Sequence, residues 1–247
     1  SALSLKRLLL RSMFCPPMVR TKQGRKMLAA AFALDPAFTS ELEAVIRNQL
    51  LSGRKSLADH YGEILHTAWR SLSSSKKKKK TGEEEVDAAG RAALESRCLL
   101  ALEDGVFPAL VASCLGARTQ RLAEMLRRTL RAAMYDRRSR CVATETLICE
   151  THEPLVFRSL CSPNAQVRAN AIRLLSECFP LVRERKANAS LEEWKRQGGD
   201  LLRRQADAMV HGSRTPCRSA GRRPCGACPW SSHSTGTRCL GRASRRW

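Results

Sequence analysis

The chain has 247 residues, 43% of them hydrophobic and only 5% aromatic, and 44 Lys+Arg against 23 Asp+Glu give it a formal charge of +21. That length allows one or two domains with a proper core, and the apolar share is too high for a disordered chain. With few aromatics, the core falls to Leu, Ala, Val and Met, which suits closely packed helices and argues against a sheet sandwich.

In chain order, weak helical patterns are expected over 3–14 and 23–34. A stronger one follows, with Phe38, Leu42, Val45, Ile46 and Leu50 on one face; it starts through Pro36 and closes near Gly53. The next stripe is wide, running Leu57, Tyr61, Ile64, Leu65, Ala68, Trp69, Leu72. Ser73 to Ser75 then lead into five lysines, Lys76 to Lys80, and three acids, Glu83 to Glu85. Adjacent lysines repel and have nothing to bury, so 73–85 reads as a flexible loop, with a nuclear import signal as its functional reading. Helices are expected at 84–103, 106–116 and 140–160. Strongly periodic ones follow from Leu122, Met125, Leu126, Leu130 and Met134, and from Val167, Ala171, Leu174, Leu175 and Cys178. The division expected is therefore 1–72 and 86–187 as packed helical segments around that loop, 188–210 as a further helix, and 211–247 as a basic tail.

The fold class expected is all-α, an α-solenoid of antiparallel helix pairs with a disordered C-terminal tail. Windows offset by 45 residues match at Leu110/Leu155, Leu115/Leu160, Leu122/Val167 and Leu130/Leu175. This offset falls within the roughly 40–47 residues of HEAT or armadillo units. The turn at Pro163, Asn164, Val167 and Arg168 has the grammar of a HEAT turn. Ser or Asn caps the second helix, Pro presets its first dihedral, Val167 opens the buried face, and the Arg168 fork bonds turn carbonyls or a neighbouring acid.

On these residues the chain resembles the HEAT-repeat G-type subunits of condensin II. The resemblance is carried by Asn164–Pro180 (NAQVRANAIRLLSECFP), by GRKMLAAAF at 24–32 and by VIRNQLLSGRKSLADHYGEILHTAWR at 45–70, and it spans about residues 3–182. It implies a non-catalytic solenoid that binds the kleisin and other condensin II subunits and helps hold double-stranded DNA, in the nucleus and on chromosomes. An unrelated armadillo or HEAT adaptor is the alternative. Ser1 in place of Met, with helical pattern already under way, reads as the start of a fragment.

The charge supplies candidate ligand groups. Arg127, Arg128, Arg131, Arg137, Arg138 and Arg140 cluster at one helix end and are expected to contact DNA phosphates; the competing reading is solvation, or pairing with acids such as Glu124 and Asp136. The tail holds eight Arg and no acid, and its only aliphatic side chain larger than alanine is Leu240, a change of composition that a misread frame or retained intron would produce. Within it Cys225, Cys228, His233 and Cys239 spell a knuckle-like zinc set, although its last gap is long for a knuckle and a Cys- and Gly-rich stretch produces such spacing by chance. The principal reading takes no metal and no cofactor; a nucleic-acid-binding tail with a zinc knuckle is the second alternative.

Seven cysteines (Cys15, Cys98, Cys114, Cys141, Cys149, Cys161 and Cys178) lie among helical segments and read as buried, reduced thiols of a reducing compartment. No secretory signal or membrane span is expected, the best apolar run, Val106–Ala117, being interrupted upstream by Glu103 and Asp104. Catalysis finds no support. No Gly-rich phosphate loop follows a strand-like run, His60 and His66 do not share a helix face, and His152, between Glu150 and Glu153, reads as hydrated surface. An enzyme with a small-molecule substrate is therefore not expected.

Overall fold

A computed structural model describes residues 2–75, 85–135, 141–183 and 190–211. All regular structure among them is helical: α1 (Ala2–Phe14), α2 (Pro16–Arg20), α3 (Lys22–Ala31), α4 (Pro36–Leu50), α5 (Lys55–Ser75), α6 (Glu85–Leu100), α7 (Phe107–Leu115), α8 (Gln120–Leu130), α9 (Val142–Leu160), α10 (Ala165–Cys178) and α11 (Leu191–His211). The lysine run and the tail with its cysteines and histidine lie outside the described residues.

The helix starts follow local chemistry. Thr21, Asp35, Thr119 and Asn164 each accept a backbone N–H of the next turn, which satisfies a donor that a helix start leaves orphaned. Gly53 sits at φ 67°, where a β-carbon would be strained, and lets the chain turn from α4 into α5. Three boundaries differ from expectation. Ser73 to Ser75, expected in the loop, complete α5. Cys15-Pro16-Pro17 opens a short helix, because Pro is tolerated at the first helical positions. The helices expected at 84–103 and 106–116 form one continuous rod, joined by a π-helical segment at Ala101–Val106; a second π segment, Arg131–Tyr135, extends α8. A π turn absorbs an extra residue without ending the helix, so Glu103 and Asp104 are carried on the rod's surface side while Leu102 and Val106 stay buried.

The helices stack in two rows. One row runs α1, α4, α6 with α7, then α9; the other runs α3, α5, α8 with its Arg131–Tyr135 extension, then α10 against that extension, each packed on its neighbour in the row. Hairpin partners α7/α8 and α9/α10 join the rows, and α11 packs on α10. Contacts between α5 and α8 rise together in number, Lys55 to Glu124, Asp59 to Arg128 and His66 to Ala133, so those two helices run parallel. This is the arrangement expected of successive hairpins whose second helices stack. One continuous core threads both rows, from Met13, Leu28 and Phe32 through Leu42, Ile46, Tyr61 and Leu65 to Leu110, Leu126, Leu174 and Leu175. Each such side chain contributes about 1.5–3 kcal/mol by leaving water.

Buried polar groups tie the rows. Tyr61 donates to the Met13 carbonyl at 2.6 Å, and Asn170 donates to the carbonyls of Cys114 and Leu115 at the end of α7. The segment Ala89–Leu115 is long and apolar enough to cross a membrane by length and composition, and half of its most apolar stretch is buried within the fold. Its inward residues include Leu99, Leu102, Phe107, Leu110 and Cys114.

Gly62 marks a close approach of α5 to α8. A β-carbon there would lie 2.4 Å from the Ala132 β-carbon and 2.5 Å from the Thr129 carbonyl oxygen. We expect Gly62→Val to force α5 away from α8 and lower stability by about 1–3 kcal/mol, read by urea denaturation; an unchanged midpoint would show that the two helices separate freely.

Candidate nucleic-acid interface

The turn between α9 and α10 is built largely as its residues suggest. Asn164 caps α10 by accepting from Gln166 N–H at 2.8 Å, and its own N–H donates to the Ser162 hydroxyl. Arg168 donates to the carbonyls of Ser162 at 2.8 Å and Pro163 at 2.9 Å, closing the turn like a clasp. Two details differ. The helix begins at Ala165, so Pro163 lies ahead of the cap and does not set the first helical dihedral. Val167 is half-buried, and full burial starts with Asn170 and Ala171.

The same clasp occurs at the start of α3, where reading the sequence had not placed it. Thr21 is the cap, and Arg25 donates to the carbonyls of Val19 at 3.2 Å and Arg20 at 2.6 Å. The available signal was the shared spacing Thr21-x-Gln23-x-Arg25 and Asn164-x-Gln166-x-Arg168. A long cation four residues past the cap reaches back to the orphan carbonyls of the preceding turn.

The arginine cluster of α8 divides by what faces it. Arg128 forms a two-pronged pair with Asp59 of α5, at 2.5 Å and 2.7 Å, and that hydrogen bond raises the guanidinium's pKa further. Arg127 and Arg131 share Glu177 of α10, each at 3.3 Å. Arg131 is the most open of the three, its side chain 64% exposed against 18% for Arg127. All three therefore bridge neighbouring helices of one row, and the acids that meet them are Asp59 and Glu177, while Glu124 pairs with Lys55. Arg137, Arg138 and Arg140 lie outside the described residues.

A second basic locus lies on α3. Lys22, Arg25 and Lys26 line a concavity of about 290 Å³ together with Glu63, His66 and Thr67 of α5 and Ala132 beyond α8. Arg25 pairs with Glu63 at 2.7 Å, and His66 Nδ1 meets the Ala133 carbonyl at 2.9 Å, which fixes the proton on that nitrogen. The sequence signal was available: residues 1–34 contain seven cations and no acid.

Other polar groups are structural. His152 is fully buried, contrary to the hydrated position expected from its acidic neighbours. Its ring bonds the Tyr135 hydroxyl through Nε2 and the Ile148 carbonyl through Nδ1. Counting by four from Ile148 to His152 to Val156 places it on the inward face, whereas Glu150 is exposed. His60 and His66 form no joint site, and no group of three metal-ligating side chains occurs among the described residues. Four of the seven cysteines are buried; Cys15 and Cys141 are exposed and Cys161 is intermediate, so the expectation of buried thiols holds only in part. Burial pushes Cys114 up to about 12 and Cys149 up to about 11. Cys141 moves the other way, its thiolate favoured by the Thr144 hydroxyl and by Arg70.

Comparison with known proteins places this helix stack. Residues 11–183 match the family described as condensin II non structural maintenance of chromosomes subunit. Condensin-2 complex subunit G2 of Danio rerio is 24% identical over 194 residues, 78% of this chain and 15% of that protein. The protein of the same name from Xenopus laevis is 24% identical over 72% of this chain and 13% of its own length. The one from Homo sapiens is 24% identical over 66% of this chain and 12% of its own. The chain thus spans less than a sixth of the curated relatives it matches. No solved structure matches it.

Two measurements test the local geometry. Arg168→Ala should cost about 1–3 kcal/mol, because one charged donor serves two carbonyls; Arg168→Lys should recover little of it if the guanidinium's reach closes the turn. In native protein at neutral pH, iodoacetamide should modify Cys141 first and leave Cys114 and Cys149 intact until unfolding, as peptide mass mapping would show. Early modification of Cys114 would contradict the burial.

Proposed function

Since the chain belongs to the family of condensin II non-SMC subunits, we propose that it serves as a non-catalytic helical-repeat scaffold of the condensin II complex. In this reading it acts in mitotic chromosome condensation, in the nucleus and on chromosomes. It engages the kleisin subunit and other condensin II subunits, and its basic surface meets double-stranded DNA. The observation that carries the reading is the coincidence of the family match over 11–183 with the stacked hairpins α2 to α10. Stacked helix pairs expose long, repetitive surfaces to partners while each pair covers its neighbour's apolar flank, which is how scaffolds of this architecture work.

Among the α8 arginines, Arg131 is the candidate best placed to reach a DNA phosphate, since most of its side chain is open. Arg127 and Arg128 would have to share or leave their carboxylates first. Arg137, Arg138 and Arg140 remain candidates on sequence grounds. Arg168, with Pro163, Asn164 and Val167, belongs to the turn and is assigned a structural role.

Co-expression of the chain with a condensin II kleisin and size-exclusion chromatography test the proposal. The expected result is a stable complex that co-elutes. Separate elution of the folded chain and the kleisin at micromolar concentration would refute the scaffold reading.

A further inference from the structure

We propose that the α3 concavity, and Lys22 and Lys26 in particular, is a phosphate-contacting site for double-stranded DNA, stronger than the arginine cluster of α8. This inference rests on the DNA-binding reading above and assigns its location.

What each cation already does separates the two loci. On α8, Arg127 and Arg128 occupy the last turn of the helix, where the backbone dipole favours positive charge, and carboxylates of α5 and α10 face them. Those positions are explained by stability alone. On α3 the reverse holds. Lys22 is the first helical residue, Lys26 lies one turn on, and the first turn holds no acid. Positive charge at that end of a helix opposes the dipole, so local stability does not account for it.

The neighbouring charges sharpen the contrast. Glu63 is the one carboxylate lining the concavity, and Arg25 takes it at 2.7 Å. Arg25 itself also serves the two turn carbonyls, so its positions are fixed. Lys22 and Lys26 are exposed, and among the described residues neither has a carboxylate partner. Four residues apart on one helix face, their ammonium groups share a concavity of about 290 Å³ with His66 and Thr67. Two mobile point charges at an open hollow are suited to following a phosphate backbone; they lack the planar fork that reads base edges or bidentate anions. The expected ligand is therefore duplex DNA contacted without sequence preference. The site is on the same helix row as Arg131, so one duplex tracking that row would pass both.

The experiment uses the whole 247-residue chain and a fluorescent 30-base-pair duplex, with anisotropy read across a salt series. The test protein is the double variant Lys22→Glu with Lys26→Glu. Its control is Arg158→Glu with Arg173→Glu, two exposed cations on α9 and α10 that change the net charge equally. Loss of two phosphate contacts should lower the slope of log K against log salt by about 2 and weaken binding at least tenfold at low salt. The control should lose markedly less. The melting temperature of the test variant should be unchanged or raised, because acid at the start of α3 agrees with the dipole. Equal losses in the two variants would mean that only net charge matters and would overturn the site, as would an unchanged slope with intact wild-type binding. A fall in melting temperature large enough to unfold the test variant would assign Lys22 and Lys26 a structural role and equally overturn it. If the wild-type chain fails to bind duplex at all, the DNA reading fails and the site with it.

Discussion

The close approach of α5 to α8 is the constraint on which the rest of the stack depends. At Gly62 the two backbones are nearer than any β-carbon would allow, and the contact continues along both helices. Thr129 donates to the Ala58 carbonyl at 3.1 Å, Asp59 grips Arg128, and His66 reaches the Ala133 carbonyl. With α5 and α8 held in parallel, α3 must pack on one flank of α5 and α10 on the far side of α8. That order puts Lys22 and Lys26 in one hollow with His66, and it brings Glu177 to Arg127 and Arg131.

Two buried amides inside the stack reinforce this order because they are satisfied across elements. Asn170 ties α10 to the end of α7, and Gln205 of α11 both accepts from Leu181 N–H and donates to its carbonyl. An unpaired amide in such a place would cost more than an apolar side chain, so these groups favour one register over neighbouring ones. Surface ion pairs add less. The Arg128–Asp59 pair is 41% exposed on the arginine and 34% on the acid, and solvent screening limits what it contributes to fractions of a kcal/mol up to about 1 kcal/mol. Its value is orientation: it occupies arginines that a charge count alone would have offered to DNA.

Much of this was legible beforehand, for identifiable reasons. The stripes Tyr61 to Leu72 and Ala171 to Cys178 are buried where their 3.6-residue period put them, and Leu57 and Val167 at their starts are half-buried, because a helix that must cover a neighbour displays apolar residues at that spacing. The Arg168 clasp followed from a cap and a cation one turn later. The family resemblance held as well, covering nearly the same residues as the match. Besides the short helix α2 and the Arg25 clasp, three features were missed. The π segments have no simple composition signal, since an inserted residue is accommodated by backbone hydrogen bonds. His152 was read from its charged neighbours in sequence, although neighbours on a helix are the residues three and four away. The basic character of residues 1–34 is visible only as a count, since its seven cations are spread over three helices, whereas the arginines of α8 stand close together.

Taken alone, the sequence determined that the chain is helical, that its helices pair through short capped turns, and which family it resembles. Those properties are local: periodicity, caps and turn residues act within a few positions. What the tertiary structure alone decided is which cations are engaged and which remain open. Arg127 meets Glu177 across a separation of fifty residues and Arg128 meets Asp59 across sixty-nine. No charge count in one window contains such a pairing, because it exists only once helices distant in the chain lie side by side.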